Sequence, residues 1–407
     1  MQLQSTGFSG LPITLDRFHR DSARRTDEQT MSTLRDLLKR NHANHIVYRG
    51  FLANHMVHVL YTQWQLGADA NILQHSFDVN SAELNPLPAP KIVITQSTWQ
   101  NHLGDNDLYS EYLAFFEQEL VTDSFDTVFH RFFPTLIPGL MGALTHPWIH
   151  IAFAVEFNDS LVLAEGLAYA CTYYAPIDLS PTEDASTTPA GQFSDPLDIL
   201  RAVQDDPSVK VDDNASPFSK RLNQYLQPDV LHRVNKLVNG WPLVPQEEDP
   251  QATLSRLTIA IVVLYASRAN DYGPDFFQAH AVTSLLATHI LLPYLSPADQ
   301  VLLLRLQLHV AVMTYVTEGK GSLSVEKVKE YAKSTPRYAA LCHTELDAQI
   351  NETVLKSDDE HLGKVVRALD YFRRVHGEQD QLFLGARCKT VDSIGSVDDW
   401  QYRKGSS

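Results

Sequence analysis

The stretch HPWIHIAFAVEFNDSLVLAEGLAYA, residues 146–170, decides how this chain is to be read. From Pro147 onward it is an apolar run with helical spacing, and it carries carboxylates at Glu156 and Glu165 where an unpaired charge would be costly. Working outward, helical apolar spacing recurs over residues 31–66, 107–121, 254–269, 276–317, 325–333 and 346–376, whereas sustained period-two alternation is scarce. The expected fold is therefore all-α, mostly helical, a single large globular domain with loop insertions. With 407 residues, 44% hydrophobic and 20% charged, the chain can bury one large core. Residues 175–195, 205–217 and 244–251 are rich in Pro, Asp, Ser and Thr and read as loops. Residues 1–28 are expected to be a peripheral N-terminal segment, 29–387 the helical domain, and 388–407 a C-terminal tail. No internal repeat of fixed period is evident.

Charge narrows the partners. A formal net charge of -16 argues against nucleic acid or an anionic membrane surface. The N-terminus has neither a positive leader nor an apolar core, so no secretory signal is expected. The most membrane-like run, 281–298, is interrupted by His289, Pro293 and Pro297 and reads as a buried helix. Cys171, Cys342 and Cys388 are odd in number and far apart, which fits a reducing, cytoplasmic setting rather than a disulfide framework. Motifs for dinucleotides, zinc proteolysis, acyl-enzyme hydrolysis and P-loop phosphates are missing, so a flavin monooxygenase has no sequence support. A lysine-carbamate hydrolase barrel would need alternating strands and helices, which are missing too.

Four histidines and one lysine carry the chemistry. His361 and Lys364 are three apart, a spacing that puts both side chains on one helix face. An ammonium beside a ligating imidazole repels a metal, so the pair makes chemical sense as a metal site only when the lysine is neutral or converted to an N-carboxylysine. Taken alone, such a pair is also common on solvated faces. His55, His146 and His280 lie in apolar stretches of helical character where a solvated imidazole is not expected. Each has a plain alternative as a hydrogen-bonded core residue.

The segments around these residues resemble the questin oxidase-like proteins of fungal aromatic polyketide pathways, which have bacterial relatives. The likeness runs from Asn54-His55 and Leu66-Gly67-Ala68, through Trp99 to Gly104 and the aromatic run Tyr109 to Phe116, to His146-Pro147-Trp148-Ile149-His150 with Glu156. It continues at His280-Ala281-Val282-Thr283-Ser284 and ends at Asp359-Glu360-His361 with Lys364, covering roughly residues 30–380. The resemblance implies a mononuclear non-haem iron(II) site made of His55, His146, His280, His361 and carboxylated Lys364. It further implies an enzyme that cleaves the quinone ring of an anthraquinone, or its hydroquinone, with dioxygen. Relatives carry other side chains at the positions of His58 and His150, which are read here as substrate-facing groups able to take a phenolic proton, or as local packing.

Imidazoles together with a carboxylate-type oxygen favour a redox metal, and a carbamate supplies that oxygen from a lysine kept neutral by burial beside Val365, Val366 and Leu369. Asp359, Glu360 and Glu156 are candidate acceptors for the histidines' second ring nitrogens, while Asp359 and Glu360 also suit a helix start. Trp148, Phe153, Phe276 and Phe277 are candidates to stack on a flat aromatic substrate, or to fill the core. A separate quinone reductase is an expected partner where the quinone must first be reduced. Two other readings stay open. One is an NADPH-dependent Baeyer-Villiger-type monooxygenase on a polyketide quinone, and the other a non-catalytic helical protein that binds a pigment precursor.

Overall fold

The structure, a computed structural model, describes residues 27–179, 193–212, 215–243, 250–267, 274–395 and 397–401. Among them are eighteen α-helices and one two-stranded antiparallel hairpin, β1 (Val47–Tyr48) and β2 (Leu52–Ala53), so the fold is all-α as expected. The helices are α1 (Glu28–Asn41), α2 (Met56–Leu66), α3 (Ala70–Ser81), α4 (Tyr109–Thr122), α5 (Phe125–Leu136), α6 (His146–Phe157), α7 (Ser160–Thr172), α8 (Pro196–Asp205) and α9 (Phe218–Tyr225). They continue as α10 (Pro228–Asn239), α11 (Pro250–Ala266), α12 (Phe276–Leu291), α13 (Pro297–Thr317), α14 (Val325–Ser334), α15 (Pro336–Ala339), α16 (His343–Leu355), α17 (Leu362–Val375) and α18 (Asp380–Ser393).

Local chemistry divides runs that periodicity alone joins. The expected helix over 31–66 breaks at a hairpin whose turn uses Arg49 and Gly50 at positive φ. The run over 147–170 breaks at Asn158 (φ 52°), which ends α6, and Asp159 starts α7 by accepting from Leu161 and Val162 N–H. The run over 276–317 breaks at Pro293 and Pro297, with Ser296 capping α13. Helices α3, α5, α8, α9, α10, α15 and α18 lie outside the expected helical runs. In α5, Phe125, Val128, Phe129, Phe132, Phe133 and Leu136 are buried at helical spacing, while its other face is polar. Most of residues 180–192 and 244–249, in two of the expected loops, lie outside the described residues, as does the N-terminal segment to Thr26.

By internal contacts the chain forms two compact units, each assembled from three stretches. One comprises residues through Ile177, Leu286–Leu295 and Asn351–Arg367; the other comprises Asp178–Leu285, Ser296–Ile350 and residues from Ala368. Neither is a contiguous block of sequence. In the first unit, α6 and α7 approach closely at Gly166, where a Cβ would lie 2.7 Å from Ile151 Cγ1 and 3.1 Å from its backbone nitrogen. In the second, Arg221 and Glu318 form a buried ion pair at 2.7 Å, and His309 is held between Tyr225 Oη and Asn235 Oδ1. Helix α18 runs through the expected boundary at Arg387: Cys388, Thr390, Ile394 and Trp400 are buried, so these residues belong to the core rather than to a tail. Helix α13 is long and apolar enough by composition to cross a membrane, but 78% of its most apolar window is buried inside the protein, as in a core helix. All three cysteines are free thiols.

Replacing Gly166 with Ala should push α6 and α7 apart and cost about 1–3 kcal/mol. The check is the midpoint of urea unfolding, which should fall with an unchanged slope; an unaltered midpoint would refute the close approach.

Candidate metal centre

His55, His146, His280 and His361 each offer a ring nitrogen, and these nitrogens all lie within 4.8 Å of one another; all four residues are buried. Every one is placed by a helix. His55 is the residue before α2, His146 opens α6, His280 sits in the second turn of α12, and His361 immediately precedes α17. The cluster is able to bind a metal ion.

The way the rings are held sets which nitrogen faces the centre. His146 follows Ala143, Leu144 and Thr145, all left-handed, with φ of 44°, 52° and 65°. Consecutive left-handed non-glycine residues are strained and persist only where the surroundings enforce them. The turn brings the Ala143 carbonyl to 2.5 Å from His146 Nδ1. A carbonyl only accepts, so Nδ1 carries the proton and Nε2 keeps its lone pair. His280 repeats this with Nδ1 donating to the Phe276 carbonyl at 2.8 Å. His55 Nδ1 lies 2.9 Å from Glu360 Oε2. His55 Nε2 and His146 Nε2 then face each other at 2.8 Å. His146 Nε2 accepts from His55 Nε2–H at that separation, or both lone pairs point at one shared cation, and the donor set fits a metal.

Lys364 is buried and its amine has no hydrogen-bond partner among the described residues. Burial pushes its pKa down, against the opposing pull of Glu360 and Asp359, which favours the neutral amine. Val365, Val366 and Leu369 are fully buried beside it. Burial is also the main reason the pKa values of His55, His58 and His146 fall well below the ordinary value, with the Lys364 charge adding to it.

Outside the ligand set, the carboxylates divide into separate roles. Asp359 caps α17, accepting from the N–H groups of His361 and Leu362. Glu360 serves His55. Glu156, expected to orient a histidine, instead pairs with buried Arg367, which also reaches Gln65 and lies over the Phe153 ring; an ion pair satisfies the buried carboxylate without an imidazole. Glu165 bonds His150 Nε2 at 2.9 Å and His42 Nδ1 at 2.6 Å, and His42 Nε2 meets Glu117 at 2.8 Å. His58 and His150 are fully buried with ring centroids 5.2 Å apart, and neither ring nitrogen of His58 has a hydrogen-bond partner among the described residues. Phe153 stacks on His58 at 5.0 Å and Phe276 packs edge-on against His280 at 4.8 Å. Trp148 is buried, and Phe277 stacks on Phe218, which is core packing. Sequence reasoning missed His42 and Arg367; their only local mark is a charged or titratable side chain on an otherwise helical stretch.

His42 makes a pH-dependent contribution to stability. Burial alone would lower its pKa, but the hydrogen bonds and charges of Glu117 and Glu165 outweigh that and raise it from 6.5 to about 10. A raised folded-state value means that the stabilisation is complete below about 6.5 and lost as pH rises through about 10. Unfolding free energies measured between those limits should therefore fall more in the wild type than in His42→Gln; equal falls would remove the ion pair.

The Questin oxidase-like family matches residues 52–369. The Baeyer-Villiger oxidase mdpL of Emericella nidulans is 29% identical over 384 residues, spanning 86% of this chain and 83% of its own. A questin oxidase of Aspergillus terreus is 26% identical over 357 residues (82% and 78%), and the oxidoreductase AflY of Aspergillus parasiticus 24% over 396 residues (89% and 79%). Their shared class is oxidoreductase. The matched span takes in all four clustered histidines and Lys364, and the chain belongs to the questin oxidase-like family.

Proposed function

We propose that this oxidoreductase is an iron-dependent oxygenase that opens the quinone ring of an anthraquinone, or of its hydroquinone, with dioxygen in aromatic polyketide biosynthesis. The observation that carries the reading is the convergence of four buried imidazoles whose nitrogens lie within 4.8 Å of one another. Relatives named questin oxidase and Baeyer-Villiger oxidase support it. In this reading His55, His146, His280, His361 and a carbamate on Lys364 hold iron(II). Bound there, iron would supply one-electron exchange with dioxygen and a template for substrate.

The remaining work falls to the chain's own side chains. The Ala143 and Phe276 carbonyls and Glu360 fix ring orientation and raise ligand basicity. Burial keeps Lys364 neutral enough to take up carbon dioxide, and coordination then holds the carbamate. His58 and His150 are placed to accept a phenolic proton, and the Phe153 ring limits the motion of His58. The names of several relatives favour a second reading, an NADPH-dependent Baeyer-Villiger-type monooxygenase. Purified protein given already reduced substrate distinguishes them: oxygen uptake without NADPH supports the oxygenase, and a strict NADPH requirement supports the alternative.

Lys364→Met tests the ligand set. After anaerobic iron(II) reconstitution without a histidine tag, elemental analysis should find near-stoichiometric iron in the wild type and little in the variant. Without metal the variant should be as stable as the wild type or more so, by up to about 1–3 kcal/mol, because an unsatisfied buried amine has been removed. Full iron and oxygen uptake in Lys364→Met would sink the carbamate role.

A further inference from the structure

We infer that Glu165 and His42 are positioning residues that present Nδ1 of His150 as a buried base for an acidic aromatic hydroxyl. The chemical class of the proton donor rests on the oxygenase reading above; the presentation of the base rests on geometry alone. Four groups form a line from the surface inward. Glu117, about half exposed, meets His42 Nε2 at 2.8 Å; His42 Nδ1 meets Glu165 Oε1 at 2.6 Å; Glu165 Oε2 meets His150 Nε2 at 2.9 Å.

A carboxylate accepts and does not donate, so each ring nitrogen facing one carries a proton. His42 faces carboxylates through both nitrogens and is held as the doubly protonated imidazolium. His150 faces Glu165 through Nε2, so the hydrogen sits on that nitrogen, and the neutral form of the ring has its lone pair on Nδ1. That Nδ1 is buried and has no hydrogen-bond partner among the described residues. The hydrogen bonds that Glu165 accepts from His150 and His42 outweigh the effect of burial and hold its carboxyl below the ordinary range, so it is the ionised acceptor this arrangement needs.

A purely structural network would end on satisfied atoms. Here it ends on an orphaned basic nitrogen, in a ring 5.2 Å from His58, whose nitrogens are also unpartnered. An acceptor left dry in this way destabilises the fold, and such a cost is retained where a ligand's donor takes the place. The step is a proton transfer without redox change. The substrate O–H bond breaks, its electron pair stays on oxygen, the proton bonds to His150 Nδ1, and the new imidazolium is stabilised by the Glu165 carboxylate. The pair acts as the aspartate and histidine of a hydrolase triad do, with the carboxylate setting tautomer and orientation.

The test reads side-chain ¹⁵N shifts of His150 in metal-free protein labelled at histidine. The wild type should show the Nε2–H tautomer. In Glu165→Gln the amide oxygen turns to the His42 donor and its NH₂ group faces His150, so the tautomer should invert to Nδ1–H; Glu165→Asp should restore the original form. In iron-loaded protein with reduced anthraquinone, Glu165→Gln should lower kcat on the order of 10²-fold or more with little change in KM, and Glu165→Asp should recover part of it. A wild-type His150 protonated on Nδ1 overturns the inference without any variant. So does an unchanged tautomer in a folded Glu165→Gln, or an inverted one with undiminished kcat. Because the tautomer is read without metal, inversion in a protein that retains no iron supports the base and defeats only the oxygenase reading.

Discussion

Two imidazole nitrogens, His55 Nε2 and His146 Nε2, stand 2.8 Å apart in a buried cluster, and much of the surrounding structure serves to keep them so. The left-handed turn at Ala143 to Thr145 spends conformational energy to aim one carbonyl at His146 Nδ1. Glu360 does the equivalent for His55 and the Phe276 carbonyl for His280. For His146 and His280 the outer nitrogen donates to a carbonyl, so the inner one keeps its lone pair. An apolar core built for stability would avoid this, since burying polar groups weakens it, while a bound cation turns the same nitrogens into ligands.

The distribution of buried charge follows from that constraint. Arg367 is paired with Glu156, Arg221 with Glu318, and His42 with Glu165. Each cation meets a carboxylate, as desolvation demands. Lys364 does not: its amine has no hydrogen bond among the described residues, and the nearby Glu360 is turned to His55. Burial then favours losing the proton, which is the state a ligand precursor must reach. Pairing Glu156 with Arg367 satisfies that buried carboxylate without an imidazole.

Much of the fold was legible because helical spacing of apolar residues survives without knowledge of neighbours: α4, α11 and α14 lie where periodicity put them. Breaks were harder. Asn158 and the Arg49-Gly50 turn interrupt runs whose apolar pattern carries on, and α5 and α8 to α10 were passed over because a polar face dilutes the signal. At the site, the five ligand candidates could be picked out by their local segments, and three of the four histidines stood in apolar stretches. Their partners could not. Glu156 and Arg367 are 211 residues apart, and His42 and Glu165 are 123 apart. Which carboxylate meets which cation depends on packing that no local window contains.

His58 and His150 show how far identical local logic can diverge. Each follows a clustered histidine by one helical turn, three residues after His55 and four after His146, so spacing assigns them the same face and the same role. Packing separates them. His150 is bonded through Nε2 to a carboxylate that is itself held by a second imidazole, and its tautomer is fixed before any ligand arrives. His58 has no such hydrogen-bonded anchor among the described residues; it packs against Phe153 and the rings of His55, His146 and His150, and Arg367 lies over the Phe153 ring. A fixed base needs little reorganisation at the moment of proton transfer, whereas an unanchored imidazole can change tautomer to suit either a donor or an acceptor. The two residues thus differ in how firmly packing orients them, His150 held through Nε2 and His58 by ring contacts alone among the described residues.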